Sequence, residues 1–158
     1  MVWYYSRILH RSWLGMAVGG RIPWLWPLFE TLHVFSMVLL VGVVGAIDLR
    51  MLGVAKELPL RPLSRLLPWA MSGFAISFVT GIGSYAGNPD QYQTWAFLAK
   101  MASVVLAGIN GLHFYASGLH RQTDAVQAGQ DVPLAAKLAA AVSLVLWFGV
   151  IFWGRMLN

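Results

Sequence analysis

The sequence predicts an all-α integral membrane protein: a four-helix bundle with a short N-terminal interfacial helix. Of its 158 residues, 58% are hydrophobic and only 11% are charged, whereas a soluble domain has about 25% charged residues. Apolar runs cover about 23–47, 66–87, 94–119 and 133–154, and each approaches the ~20 residues that a membrane-spanning helix needs. The polar connections are too short for a soluble domain, so we expect one membrane domain over residues 1–158.

The N-terminal segment and the basic residues predict how the bundle meets the membrane. Residues 2–18 mix aromatic side chains with Arg7, His10 and Arg11, a composition typical of a helix lying in the interface. The alternative is a frayed polar terminus. Six basic residues lie on the side of the membrane where the first and third spans end, in the connections there or just inside the fourth span. Four basic residues lie on the opposite side. The six are Arg50, Lys56, Arg61, Arg65, Arg121 and Lys137, and the four are Arg7, Arg11, Arg21 and Arg155.

This charge bias predicts a multi-pass protein whose two termini lie outside, which is the periplasm if the membrane is a bacterial inner (cell) membrane. A net charge of +5 would suggest nucleic acid as the partner of a soluble protein. Here the basic side chains flank apolar spans, so we expect the lipid bilayer as partner and no nucleic acid. The sequence has no cysteine, which excludes disulfides, zinc–thiolate sites, iron–sulfur clusters and covalently attached haem.

Two histidines lie inside the predicted spans, His33 in the first and His113 in the third. An ionisable residue within a membrane span is a functional-site hypothesis by default. Each histidine shares a helical face with other polar side chains, because these recur every three or four residues. The first face includes Glu30, His33, Met37 and Asp48, and the second includes Lys100, Ser103, Asn110 and His113. Because lipid offers polar groups no partner, we expect both faces to turn inward and to meet in the core.

Haem b suits this pattern, with His33 and His113 as ligands of the iron. Neutral imidazole is a common axial ligand, no cysteine is required, and the apolar surroundings bury the macrocycle. Lys100 and Arg50 are candidates to pair with the propionates, and Asn110 is a further candidate cofactor contact. The alternative for each histidine is a core residue bonded to a hydroxyl, an amide or a backbone carbonyl.

A site for a bare metal ion is a less natural interpretation of the same residues. Glu30, His33 and Asp48 share a face, but Asp48 lies about 22 Å along the helix from His33 at a rise of ~1.5 Å per residue. Glu30 and Asp48 are instead candidates for proton handling. The glycines at 73, 81 and 83 permit close helix packing and also leave room for a flat cofactor.

The predicted depths of the two histidines differ by about 13 Å along the membrane normal at ~1.5 Å per residue. One iron with both ligands therefore requires shifted span limits. Otherwise each histidine serves a separate haem, or the second ligand is not one of these two histidines. Alternative ligands are His10, His120, Met37, Met71, Met101 and Lys100.

The same residues carry a family resemblance over about 22–157. The stretch Trp-Pro-Leu-Phe-Glu-Thr-Leu-His-Val at 26–34, then Asp-Leu-Arg-Met-Leu-Gly at 48–53 and Leu-Pro-Trp-Ala at 67–70, resembles an uncharacterised bacterial family of small four-helix membrane proteins. The layout is more distantly similar to HemJ-type protoporphyrinogen oxidases and to the CopD copper-resistance membrane domain. This resemblance implies haem b and quinone-linked redox chemistry, with His33, Lys100 and His113 in the HemJ positions. The HemJ Pro-Arg signature is replaced by Asp48-Leu-Arg50, so the porphyrinogen oxidase activity is not carried over.

Three functions follow as hypotheses. The first is a b-type cytochrome that passes electrons between membrane quinol and a partner, either alone, as a homo-oligomer or as the anchor subunit of a redox complex. The second is a HemJ-like membrane oxidase acting on a porphyrinogen or another hydrophobic substrate. The third is a cofactor-free transporter or scaffold, although four short spans show no inverted repeat of broken helices.

Overall fold

The computed structural model describes residue 8 and residues 10–157, which contain helices and no strand. Part of the predicted interfacial segment 2–18, including Arg7, lies outside the described residues. The α-helices, in chain order, are α1 Trp13–Met16, α2 Leu25–Met51, α3 Leu60–Ser64, α4 Leu67–Gly87, α5 Trp95–Ala116, α6 Leu119–Asp124 and α7 Leu134–Arg155. A π-helical turn, Ala17–Arg21, follows α1, and a 3₁₀ turn, Pro89–Tyr92, precedes α5.

Four helices are long and apolar enough to cross a membrane, which confirms the predicted helical membrane fold. They are α2, α4 together with the short α3 before it, α5 and α7. The first helix continues to Met51, four residues beyond its predicted end. Asp48 and Arg50 therefore lie in its last turns, and both side chains are buried. A prediction from hydropathy ends a span before its charged residues. Here Asp48 and Arg50 remain in the helix because their side chains are buried within the protein.

The first close helix pair consists of α2 and α4, which run antiparallel. A methyl group added at Gly73 would lie 2.7 Å from the carbonyl oxygen of Ser36, so no side chain fits between the two backbones there. One turn further along α4, the hydroxyls of Ser36 and Ser77 form a hydrogen bond of 2.6 Å. Small residues thus allow close packing, and a polar contact adds to it, as is common between membrane helices.

The second close pair consists of α5 and α7, also antiparallel. The amide of Asn110 donates a hydrogen bond of 3.0 Å to the carbonyl of Ala139. Near the other end of this pair, the rings of Trp95 and Trp153 pack edge to face with their centroids 4.9 Å apart. The bundle is therefore built from two helical hairpins.

The two hairpins join along α2 and α7. A methyl group added at Gly45 would lie 3.8 Å from Leu144, and the carboxyl group of Asp48 interacts with the Ser143 hydroxyl. We call this contact between α2 and α7 the seam. The end of the bundle where α2 and α5 begin is the tryptophan end, and the end where they finish is the basic end.

The N-terminal segment is tied to the tryptophan end. The side chain of Val18 is 1% exposed and packs beside Gly87, the last residue of α4. A methyl group added at Gly19 would approach the Gly87 carbonyl oxygen to 2.7 Å. Residues 17–19 are therefore packed against the bundle, while Trp13 in α1 remains exposed.

Candidate functional site

His33 lies in the first half of α2 and faces α4. Its Nδ1 atom is 3.0 Å from the Oγ1 atom of Thr80. Gly81 lies beside the ring, since a methyl group added there would be in van der Waals contact with it, 3.6 Å from Cε1 of His33. The ring is half-buried, so α2 and α4 hold it at their common face.

The hydrogen bonds of Thr80 favour the tautomer of His33 in which Nδ1 carries the proton. The Thr80 hydroxyl has one proton, and it donates that proton to the carbonyl of Ile76 at 2.8 Å. Towards His33 the Thr80 oxygen therefore acts as an acceptor, and Nδ1 of the histidine is the donor. The carbonyl of Ser77, which can only accept, also interacts with His33. Nε2 is then left with a free lone pair.

This arrangement fits a core histidine bonded to a hydroxyl, and it also fits a histidine that binds a metal. A metal-binding histidine almost always donates its other ring N–H to a carbonyl, carboxylate or water, which fixes the tautomer and the ring orientation. In His33, the hydroxyl of Thr80 is the acceptor. No hydrogen bond from Nε2 is found within the part of the chain that the structure describes.

Lys100 is the second notable polar residue of this half of the bundle. It is in the second turn of α5, half-buried, and a methyl group added at Gly154 of α7 would lie 3.5 Å from its Nζ atom. Its charge acts on His33. Among the described residues it forms no ion pair, since the salt bridges there join other lysines to Asp131. An unpaired lysine in a membrane span is costly, which makes Lys100 a candidate functional residue.

The contacts also place His33 and Lys100 at similar depth. His33 is twelve residues from Gly45, about 18 Å towards the tryptophan end at a rise of ~1.5 Å per residue. Gly154, beside Lys100, is ten residues from Leu144, about 15 Å in the same direction. Since Gly45 and Leu144 are in contact, the structure brings His33 and Lys100 to within one helical turn of each other in depth.

An aromatic cluster lies at the tryptophan end of this site. The ring centroids of Tyr85, Tyr92 and Phe97 are 5.4–5.8 Å apart. Burial raises the pKa of the Tyr92 phenol, against a hydrogen bond with Ser84, and the charge of Glu30 adds to the rise. Glu30 itself is exposed, so the predicted proton-handling residue lies at the surface of the bundle, near Tyr92.

His113 is not brought together with His33. It follows Lys100 on the same helix by thirteen residues, about 20 Å at ~1.5 Å per residue. Its side chain is exposed, in a groove of about 340 Å³ between α5 and α7 that Asn110 also lines. The axial ligands of one iron must lie a few ångströms apart, so these two histidines do not serve the same haem in this arrangement. The inward position expected for His113 is thereby corrected.

The other predicted cofactor contacts are used within the protein. Asn110 donates to the carbonyl of Ala139. The side chain of Arg50, 2% exposed, donates to the carbonyls of Leu58 and Gln130. Arg50 therefore holds the connections that follow α2 and precede α7, at the basic end and far from His33.

The alternative ligands occupy several places in the bundle. Met37 is half-buried one turn beyond His33 on the same helix, so it approaches from the same side as His33 rather than from the opposite face of a ring. Met71 and Met101 are exposed. The ring of His10 lies against the end of α4, with Nδ1 3.4 Å from the Ala86 carbonyl. His120 stacks on Tyr115 near the basic end.

Thr80 is the site residue that sequence reasoning missed. It lies on the buried face of α4 with Gly73 and Ser77, and this recurrence of small residues every three or four positions was the available signal. No group of three or more His, Asp or Glu side chains that could hold a bare metal ion occurs within the described part of the chain. Comparison with protein-family models, with curated proteins and with solved structures found no match to this chain.

Proposed function

We propose that the protein binds haem b in the half of the bundle nearer the tryptophan end, with His33 as an axial ligand through Nε2. The observation that carries this proposal is the hydrogen bond from His33 Nδ1 to Thr80. It supplies the acceptor that fixes a metal-binding imidazole and leaves Nε2 available. When bound, haem b would supply a one-electron redox centre.

Lys100 supports the same proposal from a separate helix. A haem carries two anionic propionates, and Lys100 is a half-buried cation without an anionic partner among the described residues. Since it lies within one turn of His33 in depth, its ammonium group would pair with a propionate. The charge pair would lower the cost of having either group within the membrane. Arg50, on the far side of the bundle, has no part in this proposal.

The function that we propose is electron transfer between the quinol pool of the bacterial cell membrane and a redox partner, with the protein acting alone or as an anchor subunit. The chain itself would orient the haem through His33 and Thr80 and exclude water through its apolar helices. It would also place Lys100 beside the propionates. The resemblance to HemJ-type proteins supports haem and quinone as partners. Because Asp48-Leu-Arg50 replaces the HemJ Pro-Arg signature, the oxidation of a porphyrinogen is left to a separate test.

The direct test is the absorption spectrum of protein purified in mild detergent from haem-replete cells. We expect a Soret band, b-type bands on reduction, and reduction of the haem by a soluble quinol. His33→Ala should abolish the Soret band, whereas the matched variant His113→Ala should keep it, because His113 is exposed about 20 Å away.

Circular dichroism and gel filtration of both variants control for folding. Colourless wild-type protein would exclude haem binding, and full haem retention by folded His33→Ala would exclude His33 as the ligand. If the protein binds haem but a quinol does not reduce it, haem binding is supported and the quinol-linked function is contradicted. Rescue of a strain lacking its own protoporphyrinogen oxidase would instead favour the oxidase hypothesis.

A further inference from the structure

A second polar site lies on the seam, in the other half of the bundle. Asp48 is in the last turns of α2, and its side chain is 4% exposed. It interacts with the hydroxyl of Ser143 on α7. Its Oδ2 atom is buried and has no hydrogen-bond partner among the described residues. This carboxyl group is therefore held by one hydroxyl, with one oxygen unsatisfied.

The charged residues around this end of the bundle do not neutralise Asp48. On its own helix, the Arg50 guanidinium donates to the carbonyls of Leu58 and Gln130. On α7 and in the connection after α2, Lys137 and Lys56 both pair with Asp131, at 2.7 and 2.9 Å. In the part of the chain that the structure describes, Asp48 thus forms no ion pair.

The two charge states of Asp48 differ greatly in cost at such a position. A buried carboxylate without a counter-charge is strongly destabilising. With a proton, the group becomes a neutral acid that can share one hydrogen bond with Ser143. The oxygen without a partner is then a neutral acceptor, which costs much less than a buried charge. Burial without a cation therefore favours the form that carries the proton.

We propose that Asp48 and Ser143 form a proton-binding site on the seam, distinct from the His33 site. The ligand is a proton rather than a metal ion, because the site offers only two side-chain groups. Magnesium and calcium take six or more oxygen ligands, many of them waters, and a site that is 4% exposed has little access for those waters. No cluster of three His, Asp or Glu side chains occurs among the described residues.

The position of the site gives it a structural consequence. The seam joins the two helical hairpins, and Asp48 and Ser143 form a polar contact across it. Loss of the proton would place an uncompensated charge between α2 and α7. The Ser143 hydroxyl can still donate to the carboxylate, but the buried charge destabilises the packing at the seam. Uptake and release of the proton would take place from the basic end, since Asp48 is three residues before the end of α2. None of this depends on the haem.

Infrared spectroscopy of protein carrying ¹³C-labelled aspartate tests the proposal. The chain has four aspartates, Asp48, Asp90, Asp124 and Asp131. At pH 7 we expect one labelled band from a protonated carboxylic acid. The band should be absent from Asp48→Asn, which keeps the shape of the side chain, and unchanged in the exposed control Asp124→Asn. Raising the pH should convert it to a carboxylate band, while added sodium or magnesium at constant pH should not.

Three results would overturn the proposal: no acid band in the wild type at pH 7, the same band in Asp48→Asn, or loss of the band on addition of either metal ion. If Asp48→Asn does not fold, Ser143→Ala provides the second measurement. Removal of the hydroxyl should shift the acid band, because its hydrogen bond is lost. An unshifted band would exclude Ser143 as the partner of the proton site.

Discussion

The imidazole of His33 and the hydroxyl of Thr80 form a hydrogen bond of 3.0 Å between α2 and α4. Thr80 gives its own proton to the Ile76 carbonyl, so it accepts the Nδ1 proton of His33 and leaves Nε2 with a lone pair. The chemistry open to His33 thus depends on a residue 47 positions away in the sequence.

The variant Thr80→Val should weaken the proposed haem binding without unfolding the bundle. Valine has nearly the shape of threonine but cannot accept the proton, so the His33 ring loses its fixed tautomer and orientation. Loss of such a partner typically reduces metal affinity by about 10–100-fold, and we expect a reduction of that order in haem affinity, measured by titrating haem into the apoprotein. Ser72→Ala is the matched control on α4, because Ser72 is exposed and its hydroxyl donates to the carbonyl of Trp69 on its own helix. Equal haem affinity in wild type and Thr80→Val would contradict the role assigned to Thr80.

Replacement of Gly73 by valine should destabilise the bundle. A side chain at this position meets the backbone of α2, with its first carbon 2.7 Å from the carbonyl oxygen of Ser36, and a backbone cannot move aside as a flexible side chain does. Overpacking costs about 1–3 kcal/mol, and we expect the upper part of this range. Thermal unfolding in detergent, followed by circular dichroism, measures the effect.

Gly108→Val is the control for that experiment. Gly108 is also within a long helix, but a methyl group added there meets nothing within 4 Å. Both variants make the same change in helix propensity, so the difference between their unfolding temperatures reports the contact between α2 and α4. Equal unfolding temperatures would show that this contact does not stabilise the bundle.

The connections at the basic end should lose one contribution to stability in acid. Hydrogen bonds from Lys137 and Lys56 lower the pKa of Asp131 to about 2. Since the pKa in the unfolded chain is near the ordinary value of about 3.9, the pairing stabilises the fold above that value. This contribution is lost as the pH falls from about 4 to about 2. Because Asp131 is exposed, the effect is small and should weaken further with salt.

The measurement compares the unfolding temperature of wild type and Asp131→Asn as the pH is lowered. We expect the wild type to be slightly more stable at pH 6 and the two proteins to converge towards pH 2. A difference that stays constant over this range would show that the charge of Asp131 is not its cause.

The class of the protein and its four spans could be predicted from the sequence, because transfer into a membrane depends on local composition. The spacing of His33 and Lys100 also placed them on polar faces, and the structure brings these two to similar depth. The same spacing suggested an inward position for His113, but that residue is exposed. In a membrane helix both the lipid-facing and the protein-facing sides are apolar, so the pattern does not indicate which side meets a neighbour.

The amino-acid sequence is thus sufficient to predict a membrane bundle of four helices with costly polar groups inside it. How those groups are used depends on the contacts between the helices. The tertiary structure joins α2 to α4 and α5 to α7, so that Thr80 faces His33, Arg50 binds two backbone carbonyls, and Asp48 lies on the seam. Which helices pack together depends on where small residues allow two backbones to approach closely, as at Gly73 and Ser36. That fit is a property of two helix surfaces together and is not present in either segment of sequence alone.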